Sequence, residues 1–139
     1  MRKPRAIIFD DEVIILDLLK ALLAKRGYEV LTYSEPVICP LYEKSGDKCD
    51  KEYPCADVVI TDLQMPRMSG IELLHCQLER GCPVTIKNKA LVTTELDTEN
   101  EETVRKLGCA FIGKPIKLSV LGDWLDGCET RFDLSRPLA

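Results

Sequence analysis

With 139 residues, 45% of them hydrophobic and 30% charged, the chain has room for one domain with a proper core and none for a second. Its net charge of −4, with dispersed basic residues, lacks the footprint of a nucleic-acid binder, and no segment approaches the length of a membrane span. The opening MRKPRAIIFDDE has too short an apolar run before its acids for a signal peptide, so a cytoplasmic location is expected, with neither nucleic acid nor membrane as a partner.

The first apolar run, Ala6-Ile7-Ile8-Phe9, reads as a strand that ends in acid: Asp10, Asp11 and Glu12. Ile15, Leu18, Leu19, Leu22 and Leu23 then share one helical face, and Gly27 ends that helix. A short strand spans 28–33, and Ser34 or Glu35 ahead of Pro36 reads as a helix start. From Cys39 to Cys55 the helical period disappears. Two prolines, a Ser-Gly-Asp turn and alternating charges predict an irregular segment in place of a regular second helix.

The run that begins at Val58 delivers a single carboxylate, Asp62, into the turn-forming stretch Met65-Pro66-Arg67-Met68-Ser69-Gly70. A helix follows with Ile71, Leu74 and Leu78 as apolar positions, ended by Gly81. A strand over Lys89 to Thr94 ends in hydroxyls. Thr98 with Glu101 reads as a capping box for a helix through Leu107. The strand Cys109 to Gly113 runs into Lys114-Pro115, and Leu118, Leu121 and Leu125 mark a last helix to about Cys128. Residues 129–139 form a short tail, expected to be frayed. This alternation predicts an α/β fold, a doubly wound five-stranded parallel sheet, as a single domain over 1–139 with its core at about 5–128.

In such sheets ligands bind beyond the C-terminal strand ends. If the first strand and the strand to Asp62 are parallel neighbours, several carboxylates converge there, and like charges at that distance need a compensating cation. A hard ion with oxygen ligands, Mg²⁺, is the natural choice. Each residue also has a plainer role open to it: Asp62 as a helix cap, Asp10-Asp11 as a solvated strand end, Lys114 as a surface charge.

Taken in order, FDDE, TDLQMPRMSG, LVTTE and GKP resemble the receiver domain of two-component response regulators over about residues 5–128. The resemblance implies a flavodoxin-like strand order 2-1-3-4-5 and Asp62 as phosphoacceptor. It implies Mg²⁺ held by Asp11, Asp62 and the Gln64 carbonyl, with Asp10 acting through water. Lys114, before a cis proline bond, would pair with the phosphoryl group. Thr93 would be the switch hydroxyl, coupled to Phe111, and residues about 97–128 the face shown to a downstream protein. The phosphoryl donor would be a histidine kinase or phosphotransfer protein, with no catalysis beyond the domain's own phosphorylation and dephosphorylation. Thr94 stands where receivers usually carry Ala or Gly, which would narrow access. Gln64 and Glu95 flank the same opening and would tune the lifetime of the phosphorylated form.

Seven cysteines are a high, odd count. Without an export signal they are expected to be mostly thiols. Cys39, Cys49, Cys55 and Cys82 could gather at the opposite sheet edge and hold Zn²⁺ tetrahedrally, pair as a disulfide, or stay reduced thiols, some buried as small hydrophobes. A Cys-rich metal- or redox-responsive binding module is therefore the alternative function. A phosphatase acting on outside substrates is disfavoured, because Gln64 occupies the place of its second acid. His75, Cys76, Cys109 and Cys128 read as structural.

Overall fold

The computed structural model describes residues 1–35, 48–94 and 96–139. Cys39, the helix start at Pro36 and Glu95 lie outside the described residues.

Strands β1 (Arg5–Phe9), β2 (Glu29–Tyr33), β3 (Val58–Asp62), β4 (Lys89–Thr93) and β5 (Ala110–Gly113) form one parallel sheet in the order β2-β1-β3-β4-β5. The order is the one expected. Helices α1 (Val13–Lys25), α2 (Gly70–Glu79), α3 (Thr98–Leu107) and α4 (Leu118–Glu129) follow β1, β3, β4 and β5, and a 3₁₀ turn at Ile86–Asn88 leads into β4. Residues 48–57 carry neither helix nor strand.

Central strands of a parallel sheet are covered on both faces, so they need apolar residues at every position rather than every second one. In β1, Ala6 and Ile8 face one layer with Leu16, Leu19 and Leu23 of α1 and Leu121 and Leu125 of α4. Ile7 and Phe9 face the other, with Val59 and Leu73 of α2. Leu63, Leu91 and Val104 of α3 complete that second layer.

The phase of two helices differs from the sequence expectation. In α1 the buried stripe is Leu16, Leu19 and Leu23, while Leu18 is 41% exposed. The run VIILDLLKALL is apolar on nearly all sides, so spacing alone does not select the inner face. In α2, Leu73 and Leu74 are buried and Leu78 is 50% exposed. The next inward position is taken by Gln77, whose Oε1 accepts from Lys89 Nζ at 2.7 Å. A lysine that is only 1% exposed needs such a partner.

The cap of α3 also lies one residue earlier than expected. Asp97, not Thr98, is the N-cap, with its Oδ1 accepting from the Asn100 amide at 2.7 Å. Gly27 takes φ +98° just past α1, a left-handed conformation that suits glycine at a helix end.

The tail is packed rather than frayed. Phe132 meets Tyr28 edge-on, with ring centroids 6.1 Å apart. Arg131 Nε donates to Asn88 Oδ1 at 2.7 Å, the Arg2 amide donates to the Leu134 carbonyl at 3.3 Å, and the Ala139 amide to the Pro54 carbonyl at 2.9 Å. Below the rings, the Tyr28 hydroxyl donates to Glu129 Oε2 at 2.7 Å, and Arg26 braces Glu129 and Asp126. Hydrogen bonding to Arg26 holds the Glu129 carboxyl below its ordinary range. Replacing Phe132 by alanine is expected to lower unfolding stability by about 1–2 kcal/mol, the value of a half-buried aromatic contact. Urea denaturation checks it, and a change within error would mean that the tail contributes nothing.

Candidate functional site

Register brings the site together. Phe9 pairs with Thr61, so the residues that follow, Asp10 and Asp62, leave adjacent strands side by side. Thr93 pairs with Gly113, and the Lys114 amide donates to the Thr93 carbonyl at 2.9 Å. Four strand ends thus deliver acid, acid, hydroxyl and ammonium to one edge.

Lys114 Nζ is the centre of that edge. It lies 3.0 Å from Asp10 Oδ2, 3.2 Å from Glu12 Oε1 and 3.3 Å from Asp62 Oδ1. Asp10, Asp62 and Thr93 are buried, whereas Asp11, Glu12, Gln64 and Thr94 are exposed. A cavity of about 290 Å³ opens above them, lined by Asp11, Glu12, Asp62, Gln64, Thr93, Thr94 and Lys114. The Lys114-Pro115 bond is cis, as expected.

Electrostatics are unbalanced toward negative charge. Burial first, and then the charge of Asp10, push the Asp62 carboxyl up from 3.8 to about 6, against the opposing pull of Lys114. For Lys114 burial acts downward, but its close ion pair with Asp10 and the charge of Asp62 outweigh it, so the ammonium holds its proton more tightly than usual. Asp10 uses Oδ1 to accept from the Glu12 amide at 2.8 Å. Its buried Oδ2 has Lys114 as an ion-pair partner but no hydrogen bond of good geometry.

Asp10, Asp11, Glu12 and Asp62 each place one carboxylate oxygen within 4.8 Å of the others, the one such grouping of acid, histidine or cysteine ligands among the described residues. Four hard oxygen donors with an under-satisfied buried oxygen fit a divalent cation of the Mg²⁺ type.

Not every expected residue joins. Phe111 lies outside the cavity on β5, paired in register with Leu91, and is 43% exposed. Cys55 and Cys82 pack against the Ile7, Phe9 and Val59 layer, and the Cys49 amide donates to the Arg80 carbonyl at 2.7 Å near the end of α2. These three come to no metal-ligand grouping among the described residues, and Cys39 lies outside them, so zinc at the cysteines finds no support. Burial pushes the Cys109 thiol up and the Cys128 thiol to about 11, as befits structural positions.

Two contributors to the site were assigned no role from sequence. Glu12 reaches Lys114, and its place next to the acid pair was the available signal. Gly70 begins α2 directly beneath Asp62, its amide donating to the Leu63 carbonyl at 2.8 Å. A Cβ there would lie 2.1 Å from the Asp62 carbonyl oxygen and 2.8 Å from Leu91 Cδ1, so only glycine lets the helix approach the strand end this closely.

The family model of the response regulator receiver domain matches residues 6–125. The chain belongs to the response regulator receiver family. Among sequence relatives, this receiver is 29% identical over 121 residues to the two-component response regulator ORR26 of Oryza sativa subsp. japonica, covering 84% of this chain and 19% of that protein. The chain spans about a fifth of the length of the curated relatives it matches first. A receiver domain structure from Clostridium thermocellum is 27% identical, with TM-score 0.69, covering 92% of this chain and 95% of that one. The signal receiver domain of an HD domain-containing protein from Pseudomonas fluorescens Pf-5, 20% identical, has TM-score 0.72 over 94% of this chain and 97% of its own, a likeness of fold. Receivers bind Mg²⁺ at an acidic pocket, and response regulators take phosphate from histidine kinases and act on downstream partners. Among the described residues no helix is long and apolar enough to cross a membrane.

A carboxyl whose pKa rises on folding stabilises the fold while protonated, and that stability is lost as pH rises from the unfolded value near 4 through about 6. In metal-free buffer at pH 7–8, Asp62→Asn is therefore expected to be more stable than wild type by about 1–2 kcal/mol after allowance for solvent screening at the cavity. The gain should vanish by about pH 4, as measured by thermal unfolding in EDTA; a pH-independent difference would contradict it. Gly70→Ala, by contrast, is expected to cost about 2–4 kcal/mol, because backbone rather than a flexible side chain must yield. Urea unfolding checks that value, and amide shifts at Leu63 and Asp62 should move with it.

Proposed function

We propose that this receiver is a phosphoacceptor signalling domain in which Asp62 takes a phosphoryl group from a phosphohistidine. The carboxylate oxygen of Asp62 attacks phosphorus, the phosphorus–nitrogen bond breaks, and the leaving imidazole nitrogen takes up a proton. The observation that carries this reading is Lys114 Nζ 3.3 Å from Asp62 Oδ1 at the cavity floor. An ammonium so placed can follow the charge from carboxylate to phosphoryl oxygens.

Asp11, Asp62 and the Gln64 carbonyl would hold Mg²⁺, with Asp10 acting through water; when bound, the ion offsets the charge of acids and phosphate alike. Asp10 and Glu12 keep Lys114 charged and oriented. Thr93 donates its hydroxyl to the phosphoryl oxygens, and Thr94 and Gln64 limit the approach of donor and water. Phe111, half-exposed in this structure, moves inward behind Thr93 and is held there by packing alone, since it has no phenol oxygen. The face over 97–128 then changes its packing and is offered to a protein partner, a population shift driven by the contacts that phosphate adds. Catalysis by these residues is confined to gain and loss of their own phosphoryl group, and residues 1–139 act as one unit in the cytoplasm.

Incubation with Mg²⁺ and acetyl phosphate is expected to give a phosphoryl adduct by intact mass, absent in Asp62→Asn and formed about 10²-fold more slowly in Lys114→Met. Beryllofluoride should change the fluorescence of Trp124, the chain's one tryptophan, which packs on the layer between α1 and α4. A wild-type protein without a Mg²⁺-dependent adduct would overturn the proposal.

A further inference from the structure

The end of the sheet remote from Asp62 holds another cavity, of about 170 Å³. Its walls are the residues that lead into β3, those that lead into β4, and the C-terminal tail, with Asp57, Thr85, Asn88, Arg131 and Arg136 as its polar members. Charge here is unbalanced in the opposite sense to the acid cluster.

Asp57 is the acid of this cavity, and its carboxylate is already committed. Oδ2 accepts from Arg2 Nη1 at 2.6 Å and from the Arg5 amide at 2.8 Å, while Oδ1 accepts from Arg2 Nη2 at 2.9 Å. Arg131 is fixed by Nε to Asn88 Oδ1 at 2.7 Å and by Nη2 to the Lys87 carbonyl at 3.2 Å. Those carbonyl-type acceptors orient the guanidinium without neutralising it.

Arg136 supplies the second guanidinium, and its buried Nε has no hydrogen-bond partner among the described residues. Its backbone is nonetheless held on both sides. The carbonyl accepts from Arg2 Nε at 2.7 Å, and the amide donates to the Asp133 carbonyl at 3.2 Å. Asp133, an exposed tail acid, accepts at Oδ1 from the Ser135 hydroxyl at 2.5 Å and from the Ser135 amide at 3.2 Å, and its charge also acts on Arg136. A buried guanidinium N–H without an acceptor is costly, and two guanidiniums at one cavity suit the forked geometry of an oxyanion.

We propose that this cavity binds a small oxyanion, a phosphate or a carboxylate, between Arg136 and Arg131, with the Thr85 hydroxyl and the Asn88 amide beside it. Binding would tie the tail to the strand entrances, and it does not depend on phosphoryl transfer at Asp62. An anion that binds only the folded chain also raises its stability by mass action.

The test uses the whole 139-residue chain in EDTA at constant ionic strength, titrated in separate arms with inorganic phosphate and with acetate against chloride. Amide ¹H–¹⁵N shifts are expected to saturate at Thr85, Asn88 and Arg136 and to stay still at Asp62 and Lys114. Saturation by phosphate alone identifies a tetrahedral anion, and saturation by both identifies a general oxyanion site; either supports the proposal. Arg136→Gln should weaken binding about tenfold or more, with Arg136→Lys intermediate. Shifts that stay linear in concentration, equal affinity in Arg136→Gln, or a response centred on Lys114 would overturn it. Should Arg136→Gln fail to fold, the wild-type shift map decides alone.

Discussion

One ammonium set against an excess of carboxylate governs this molecule. Lys114 Nζ stands within 3.3 Å of Asp10, Glu12 and Asp62, yet burial, together with the charge of Asp10, still pushes the Asp62 carboxyl up to about 6. A site that is stable with its acids close together but short of positive charge is poised for a divalent cation and for a group that redistributes the charge. The instability is local, and the apolar layers on both faces of the sheet bear it.

Those layers also set the geometry with little freedom. Because β1, β3, β4 and β5 are parallel and adjacent, each successive strand end lands beside the last, and residues far apart in the chain meet through register alone. Gly70 adds the remaining constraint, bringing the start of α2 against the Asp62 carbonyl where any side chain would collide. Thr93 and Lys114 are joined by a backbone hydrogen bond, so a shift in the loop after β4 is felt at β5.

Much of this was legible in the sequence, for physical reasons that can be named. Short apolar runs that end in Asp10, Asp62, Thr93 and Lys114 announce buried parallel strands, and the polar residue at each end has only the sheet edge to occupy. Helix phase was less legible. In α1 the leucines surround the axis, so Leu16 rather than Leu18 turns inward, and in α2 a polar Gln77 is drawn inside by Lys89. Such a pair is invisible to hydrophobic spacing, because neither residue announces burial by itself. The anchoring of the tail is hidden in the sequence for a similar reason: it depends on Tyr28, Asn88, Pro54 and Arg2, partners that no local pattern connects to it. The cysteines offered ligand chemistry without spacing that enforces a geometry, and the acids proved to be the cluster the fold builds.

The two chain ends lie alongside each other. Arg2 reaches Leu134 and Arg136, and Arg5 Nη1 donates to the Ala139 carbonyl at 3.3 Å. Both therefore emerge where the strands begin, about 16 Å or more from where they finish, the length of a five-residue strand. Anything that pulls on Arg2 or on the stretch from Leu134 to Ala139 therefore acts on the strand entrances and leaves the acidic mouth clear.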